Sequence, residues 1–222
     1  MREFSTIYEE AVFRQGSENN LKARLPKPVT PNQLRKKGDD WFLSLMSRRI
    51  FRAGLKHSMV DGKWPAFEDV FHGFDVDRVS RLSDEDLEKL MTDRRIIRHW
   101  GKIRAVRHNA QAIAVLHQEG KSMGSYLADW PTNRIVMLWQ DLKSRFFQLG
   151  GNSGPYFLRM AGKDTFLMTD SVKRALLKWG AVQSISSGKK ALLHIQDVLN
   201  LWSDELGRPL CQVSMILALS VD

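Results

Sequence analysis

The sequence predicts an all-α protein, and two observations support that prediction. Apolar residues recur at spacings of three and four along most of the chain, whereas few segments alternate with period two. Glycine, proline and capping residues separate these apolar stripes, as is expected at helix ends. With 222 residues, the chain is long enough for one substantial core or for two helical lobes that share one.

The elements are predicted in chain order. A first helix is expected over residues 4–13, followed by a polar loop with three prolines that is extended or mobile. Pro65 is placed to begin a short helix, and Ser83 to Asp86 resembles a capping box. The other helices are expected over residues 39–55, 98–119, 132–148, 155–161, 171–179, 188–205 and 209–219.

These helices are expected to form one domain with two lobes. One lobe would lie around residues 39–130 and the other around 131–222, with a cleft between them. The N-terminal segment would pack across both lobes. We expect the protein to be a monomer.

The charge balance favours a polyanionic partner. The chain carries 34 Lys and Arg against 25 Asp and Glu, a formal net charge of +9. A basic surface of this size attracts nucleic acid and makes the binding salt-dependent. The alternative is a basic protein without such a partner, and charge alone does not decide between the two.

Several classes of site are excluded by composition. Cys211 is the single cysteine, which excludes an internal disulfide, a cysteine zinc site and a four-cysteine iron–sulfur cluster. The six histidines are scattered without ligand spacing, so no metal is predicted. No apolar run approaches the roughly 20 residues needed to span a bilayer. The charged N-terminus resembles no signal peptide, so a cytoplasmic location is expected.

A glycine-rich hairpin stands between two predicted helices. It reads Leu149-Gly150-Gly151-Asn152-Ser153-Gly154. Its backbone can approach a ligand closely, and its amides, together with the following helix N-terminus, would form an anion site. An ordinary helix–helix connection is the alternative.

The order of helix, glycine hairpin, short helix, loop and aspartate resembles the helix-hairpin-helix DNA glycosylase superfamily. The resemblance implies that residues Gly151, Asn152, Ser153 and Gly154 grip a DNA phosphate, with a monovalent cation bound at the hairpin. It also implies a catalytic aspartate, for which Asp170 is the best match and Asp164 the nearest competitor. A carboxylate there would stabilise the oxocarbenium character of the sugar. From the residues alone, Asp170 would instead be a helix N-cap.

A second resemblance covers roughly residues 42–113, with weaker support to about residue 165. Four segments of this region are similar to the 3-methyladenine DNA glycosylase I family. They are Phe74 to Val79, Ser83 to Leu90, Ile96-Ile97-Arg98-His99-Trp100-Gly101-Lys102-Ile103, and Asn109-Ala110. Ala53-Gly54-Leu55 matches that family too. The resemblance implies a monofunctional glycosylase that flips alkylated bases such as 3-methyladenine out of damaged duplex DNA and hydrolyses the N-glycosidic bond. Pro155 stands where lyase members carry their lysine, so no lyase activity is expected.

This sequence departs from that family at positions that matter. Arg49 lies near the position of the family's glutamate, which helps to recognise the base, and Lys56-His57 replaces a tryptophan. The zinc ligands at both ends of family members have no counterparts, and typical members lack the aspartate that Asp170 supplies. The preferred lesion therefore stays open.

The candidate site residues complete the predictions. The candidate base pocket consists of Tyr8, Trp41, Phe42, Arg49 and His57. Phe42 has a core role as its alternative, and Tyr8 and Trp41 could simply seal the two lobes. Arg98, His99 and Lys102 are either phosphate contacts or part of a solvated basic face. The alternative to a glycosylase is a non-catalytic helix-hairpin-helix module that binds damaged or distorted DNA.

Overall fold

The computed structural model describes residues 3–221, and within that range it contains helices and no strand. None of the described helices is long and apolar enough to cross a membrane. The helices are α1 (Phe4–Gln15), α2 (Glu18–Arg24), α3 (Pro31–Arg35), α4 (Asp39–Arg52), α5 (His57–Gly62), α6 (Trp64–Val70), α7 (Val76–Ser80), α8 (Asp84–Leu90), α9 (Trp100–Gln118), α10 (Met123–Asp129), α11 (Ile135–Arg145), α12 (Ser153–Ala161), α13 (Asp170–Lys178), α14 (Lys189–Leu206) and α15 (Leu210–Leu219).

The predicted helices are present, with ends shifted by a few residues. The capping box is confirmed, because Ser83 accepts from the amide of Asp86 while the Asp86 carboxylate accepts from the amide of Ser83. The prediction of one long polar loop before α4 is wrong. Ser17 caps α2, and Thr30 forms a capping box at α3, so only residues 25–30 are extended between them. Local caps thus create short helices where apolar periodicity is weak.

The chain divides into two compact units. The terminal unit consists of Met1–Val29, Trp130–Leu138 and Gly162–Asp222, and the central unit of Thr30–Asp129 and Trp139–Ala161. This division differs from the predicted lobes, because the hairpin segment belongs with residues 30–129. The physical reason is a set of hydrogen bonds from α9 to the loop before α12.

The terminal unit is built around an aromatic and aliphatic core. The rings of Phe4 and Trp202 lie 5.1 Å apart and join α1 to α14. The side chain of Gln196 accepts a hydrogen bond from the amide of Val136 at 2.8 Å and so satisfies a buried backbone group. The apolar face of α15 packs against α1, α13 and α14.

The central unit contains α9 as its longest helix. The helices α4, α7 and α8 pack against it, and α12 packs on α4. A cluster of stacked and tilted rings fills the space beside α4; its members are Phe51, Trp64, Phe67, Phe71 and Phe74, all of them buried. Such aromatic packing fixes the end of α4 that precedes Ala53-Gly54-Leu55.

Candidate functional site

The glycine hairpin between α11 and α12 presents free backbone amides. Ser153 donates its amide hydrogen to the carbonyl oxygen of Gly150 at 3.1 Å, and Tyr156 donates to that of Asn152 at 3.0 Å. Within residues 3–221, the amides of Gly151, Asn152 and Gly154 donate to no described acceptor. Unpaired amides at the start of a helix form an anion site.

Gly154 is required by close backbone packing. A Cβ atom at this position would lie 2.8 Å from the carbonyl oxygen of Leu149, a distance that side chains do not tolerate. Gly151 has a φ of +57° with no atom nearby, so its requirement is conformational rather than steric. The two glycines therefore serve the hairpin in different ways.

Two side chains bind the hairpin loop to α9. Asn109 is fully buried, donates to the carbonyl oxygen of Phe147 at 3.2 Å and accepts from its amide at 2.7 Å. Gln148 donates to the carbonyl oxygen of Gly101 at 2.8 Å. The loop is thus held by the helix that carries Gly101-Lys102-Ile103 and Asn109-Ala110. From the sequence, Asn109 was known only as part of the family resemblance. Its structural role was missed because its hydrogen-bond partner lies 38 positions away along the chain.

Lys102 does not belong to a solvated basic face. Its side chain is buried, and its amine donates to the carbonyl oxygens of Phe51 at 3.2 Å and Ala53 at 2.7 Å. It thereby caps the last turn of α4. Burial lowers the pKa of the Lys102 amine, and the charge of Arg49 lowers it further. The amine is engaged in this cap rather than directed to solvent.

The two residues before α9 are both exposed. His99 is the N-cap of that helix, because its Nδ1 accepts from the amide of Lys102 at 3.3 Å. Arg98 has no such structural role among the described contacts, so its guanidinium is available to a phosphate.

Arg49 lies half-buried on α4 against the hairpin helix α12. Its guanidinium carbon stands 4.8 Å from the centre of the Tyr156 ring, in a cation–π contact. Its Nε is buried and has no hydrogen-bond partner in the described part of the chain. Burial lowers the pKa of the Arg49 guanidinium. Tyr156 was missed at the sequence level, although it follows the hairpin by less than one helical turn.

The remaining pocket candidates of the central unit differ in exposure. Phe42 is fully buried, which places it in the core rather than on a pocket wall. Trp41 is half-buried, edge-on to Phe42 and covered by the amine of Lys37 at 4.9 Å. His57 is exposed at the first residue of α5.

Tyr8 lies in the terminal unit, where it has partners of its own. Its hydroxyl donates to Glu18 at 2.8 Å, and the guanidinium carbon of Arg208 stands 5.4 Å from its ring centre. Burial raises the pKa of the Tyr8 hydroxyl, and the hydrogen bond to Glu18 raises it further.

The two candidate aspartates are used differently. Both oxygens of Asp164 accept backbone hydrogen bonds at the start of α15, from Leu210 at 3.0 Å and Cys211 at 2.8 Å. Asp164 is therefore a helix-capping residue. Asp170 is not the N-cap of α13, because Thr169 accepts from the amide of Val172 in that role.

Asp170 is the first residue of α13, and its side chain is 88% exposed. It forms an ion pair with Lys173 at 2.9 Å, and this hydrogen bond lowers the pKa of the Asp170 carboxyl. The carboxylate is thus charged at neutral pH and open to solvent, whereas the oxygens of Asp164 accept from the amides of Leu210 and Cys211.

The described residues contain no group of three or more His, Cys, Asp or Glu side chains that could hold a metal ion. Residues 148–154 carry neutral oxygens only, those of the backbone carbonyls and of the Gln148, Asn152 and Ser153 side chains. No carboxylate occurs within residues 148–154.

Comparisons with known proteins agree on one family for the central part of the chain. The family model described as methyladenine glycosylase matches residues 35–147, just over half of the 222 residues. DNA-3-methyladenine glycosylase 1 of Escherichia coli (strain K12) is 40% identical over 70 residues, which are 32% of this chain and 37% of that protein. DNA-3-methyladenine glycosylase of Haemophilus influenzae is 27% identical over 94 residues, 42% of this chain and 51% of that protein. The chain thus spans 37% and 51% of the length of these two relatives.

Solved structures give the same result for the fold. A crystal structure of 3-methyladenine DNA glycosylase I is 26% identical with a TM-score of 0.51, over 63% of this chain and 83% of that one. The Methanocaldococcus jannaschii 8-oxoguanine glycosylase/lyase is 14% identical with a TM-score of 0.54, and its match covers 96% of this chain and 95% of that one. The second likeness concerns the fold alone. The predicted all-α, helix-hairpin-helix glycosylase fold is confirmed, and the chain belongs to the methyladenine glycosylase family.

Proposed function

We propose that the protein is a monofunctional DNA glycosylase that hydrolyses the N-glycosidic bond of alkylated purines such as 3-methyladenine. The observation that carries this proposal is the hairpin: its three free amides are held on α9, within the unit that the family match largely covers. The partner is damaged duplex DNA, bound by one copy of the chain in the cytoplasm.

The first step is recognition of the DNA backbone and extrusion of a base. The hairpin amides of Gly151, Asn152 and Gly154 bind a phosphate, and the exposed Arg98 adds a positive charge. Flipping the base out of the stack costs a few kcal/mol and costs least for a damaged base, so extrusion itself favours lesions.

Hydrolysis follows because the alkylated purine is a good leaving group. The bond between C1′ and the base nitrogen breaks, and its electron pair leaves with the cationic base, which becomes neutral. Water then adds to C1′ and loses a proton to solvent. Asp170 is assigned the role of stabilising the positive charge that develops on the sugar. Its lowered pKa keeps the carboxylate ionised at neutral pH.

A monovalent cation at the hairpin belongs to the same proposal. Backbone carbonyl oxygens of residues 148–151 would hold it. When bound, it would add positive charge beside the phosphate. Exchange of potassium for a bulky organic cation would then weaken DNA binding at constant ionic strength.

Strand cleavage is not part of this function. Pro155 follows the hairpin, and its ring nitrogen lies within the peptide bond and cannot form a Schiff base. The product is therefore an abasic site in an intact strand.

The decisive test is release of free methylated purine from duplex DNA treated with a methylating agent, with DNA binding measured in parallel. The proposal predicts release together with binding. Binding without release would favour the non-catalytic module. Absence of both binding and release would exclude both functions.

The assigned carboxylate is tested by Asp170→Asn, with Asp164→Asn as the matched control. We expect Asp170→Asn to lower the single-turnover rate by about 100-fold or more, as for other groups that stabilise transition-state charge. Because the Asp170 side chain is exposed, the free energy of unfolding of this variant should equal that of the wild type. Asp164→Asn should lower stability through the cap of α15, and a rate loss confined to Asp164→Asn would contradict the assignment.

A further inference from the structure

Phe147 is a large aromatic residue that the fold fixes in place and leaves exposed. It stands on the loop between α11 and α12, and 53% of its surface is exposed. Both of its backbone groups are bonded to the buried side chain of Asn109, at 2.7 and 3.2 Å. The position of Phe147 is therefore determined by α9, which carries Asn109, and not by burial in a core.

One face of the Phe147 ring is covered by His108. The two rings are nearly parallel, with 4.2 Å between their centres and 12° between their planes. Burial lowers the pKa of His108, and the charges of Arg107 and Arg104 lower it further, so the imidazole is neutral at neutral pH. Because a parallel stack covers one face of a ring only, the opposite face of Phe147 is open. A flat aromatic face of this kind is one on which a nucleobase stacks.

The residue after Phe147 adopts a backbone conformation that is costly outside glycine. Gln148 has a φ of +60°, and the left-handed conformation costs such a residue about 1–2 kcal/mol. Its side chain donates to the carbonyl oxygen of Gly101 at 2.8 Å, which fixes the turn on α9. Because strained conformations concentrate at binding and catalytic sites, this turn supports a binding role for the segment.

The helix that supports Phe147 belongs to a basic stretch of the chain. Residues 94–118 contain six Lys and Arg and no Asp or Glu. Ion pairs or backbone hydrogen bonds engage Arg95, Lys102 and Arg107. The other three are exposed and form no ion pair with any residue that the structure describes; they are Arg94, Arg98 and Arg104. This stretch therefore presents unmatched positive charge, which favours a polyanionic partner.

Rings and positive charge alternate along one face of α9. Trp100, Arg104 and His108 follow one another at intervals of four residues, so they share a face of the helix. The guanidinium carbon of Arg104 stands 5.7 Å from the centre of the Trp100 ring. We call these three residues and Phe147 the α9 strip. Aromatic residues interleaved with basic ones are typical of surfaces that bind single-stranded nucleic acid, where rings stack on bases and cations contact phosphates.

We propose that the α9 strip binds a locally unpaired DNA strand, with a nucleobase stacked on the open face of Phe147 and a neighbouring phosphate bound by Arg104. Phe147 precedes Gly151 by four residues, so their Cα atoms lie at most about 14 Å apart and one strand can reach both the hairpin amides and the strip. All of these residues belong to the central unit. The inference goes beyond the proposed glycosylase function, since binding an unpaired strand requires no base release.

The test measures binding of an undamaged, fluorescently labelled single-stranded oligonucleotide to the 222-residue chain by fluorescence anisotropy. Phe147→Ala should lower the affinity by about 5- to 150-fold, the range expected for the loss of one base–aromatic stack. Phe147→Trp should keep the affinity, because an indole also offers a flat open ring. Phe13→Ala is the matched control, since Phe13 is 82% exposed but belongs to the terminal unit, and it should leave the affinity unchanged.

The salt dependence separates stacking from charge. Phe147→Ala should lower the affinity equally at every potassium chloride concentration and leave the slope of log K against log salt unchanged. Arg104→Ala should make that slope shallower by about 0.7, the value for one phosphate of a single strand. Lys89→Ala, which removes an exposed lysine of α8, should leave the slope as it is in the wild type.

Undamaged duplex DNA of the same length distinguishes a nucleobase stack from a general DNA contact. Its bases are stacked on one another, so Phe147→Ala should affect duplex binding far less than single-strand binding. Equal losses on the two DNAs, no loss on the single strand, or no single-strand binding by the wild type would each overturn the inference. Base release from methylated duplex is measured separately, and its absence with Phe147-dependent binding intact would contradict the proposed function alone.

Discussion

Asn109 and Lys102 are polar residues of α9 whose side chains act on the backbone of neighbouring elements. Asn109 satisfies both backbone groups of Phe147, and Lys102 satisfies the last carbonyls of α4. Each of them is buried. Their residue types are therefore explained by unsatisfied backbone groups rather than by direct contact with DNA.

Asn109→Ala tests this explanation. The substitution leaves one amide and one carbonyl group without partners, and each such loss costs about 1–3 kcal/mol. We expect the free energy of unfolding to fall by about 2–4 kcal/mol in denaturant titration. Gln111→Ala, which removes one exposed hydrogen bond to Ser80, should change it by less than about 0.5 kcal/mol. Similar losses for both variants would contradict a specific role for Asn109.

Prediction from sequence succeeded at this scale where the partners are local. The capping box of Ser83 and Asp86 needs only residues three apart. Lys102 was misjudged as a possible solvated residue because its acceptors lie 49 and 51 positions away. The amphipathic pattern around Lys102 does not indicate that its amine caps the C-terminal end of α4.

The hairpin is the element to which the proposed function assigns DNA binding. Its glycines were recognisable in the sequence because three of them occur within six residues between two helices. Its support by α9 was not, since Asn109 and Gln148 reach it through tertiary contacts. The exposed Phe147 stacks on His108 at 4.2 Å beside this support.

Gly154→Ala should disable the hairpin. The new Cβ would press on the carbonyl oxygen of Leu149, so the backbone that positions the amides must shift. We expect affinity for an abasic-site duplex to fall by about tenfold or more, since misplaced amides lose charge-assisted hydrogen bonds. Gly62→Ala is the control, because a Cβ there meets nothing within 4 Å. Unchanged affinity in Gly154→Ala would remove the hairpin from the interface.

At the scale of the whole molecule, the sequence predicted the fold class but not the division of the chain. The terminal unit draws on both chain ends and on residues 130–138, a discontinuous arrangement that periodicity along the sequence cannot reveal. The candidate pocket stays a prediction: Arg49 is half-buried, whereas Phe42 lies in the core, which was its alternative role.

The net charge of +9 leads to a prediction for the 222-residue chain as a whole. If the basic surface and the hairpin bind DNA phosphates, log K should fall linearly with log salt concentration with a slope of about −3 or steeper. Fluorescence anisotropy with a labelled duplex over a range of potassium chloride concentrations measures this slope. A slope near zero would exclude phosphate binding as the main source of affinity.

The measurement that tests the central claim most directly is the formation of abasic sites in methylated duplex DNA, scored with an aldehyde-reactive probe under single-turnover conditions. We predict that the wild-type protein generates abasic sites far faster than buffer does and leaves the strand unbroken. Tight binding with abasic sites forming only at the rate seen in buffer would contradict the account.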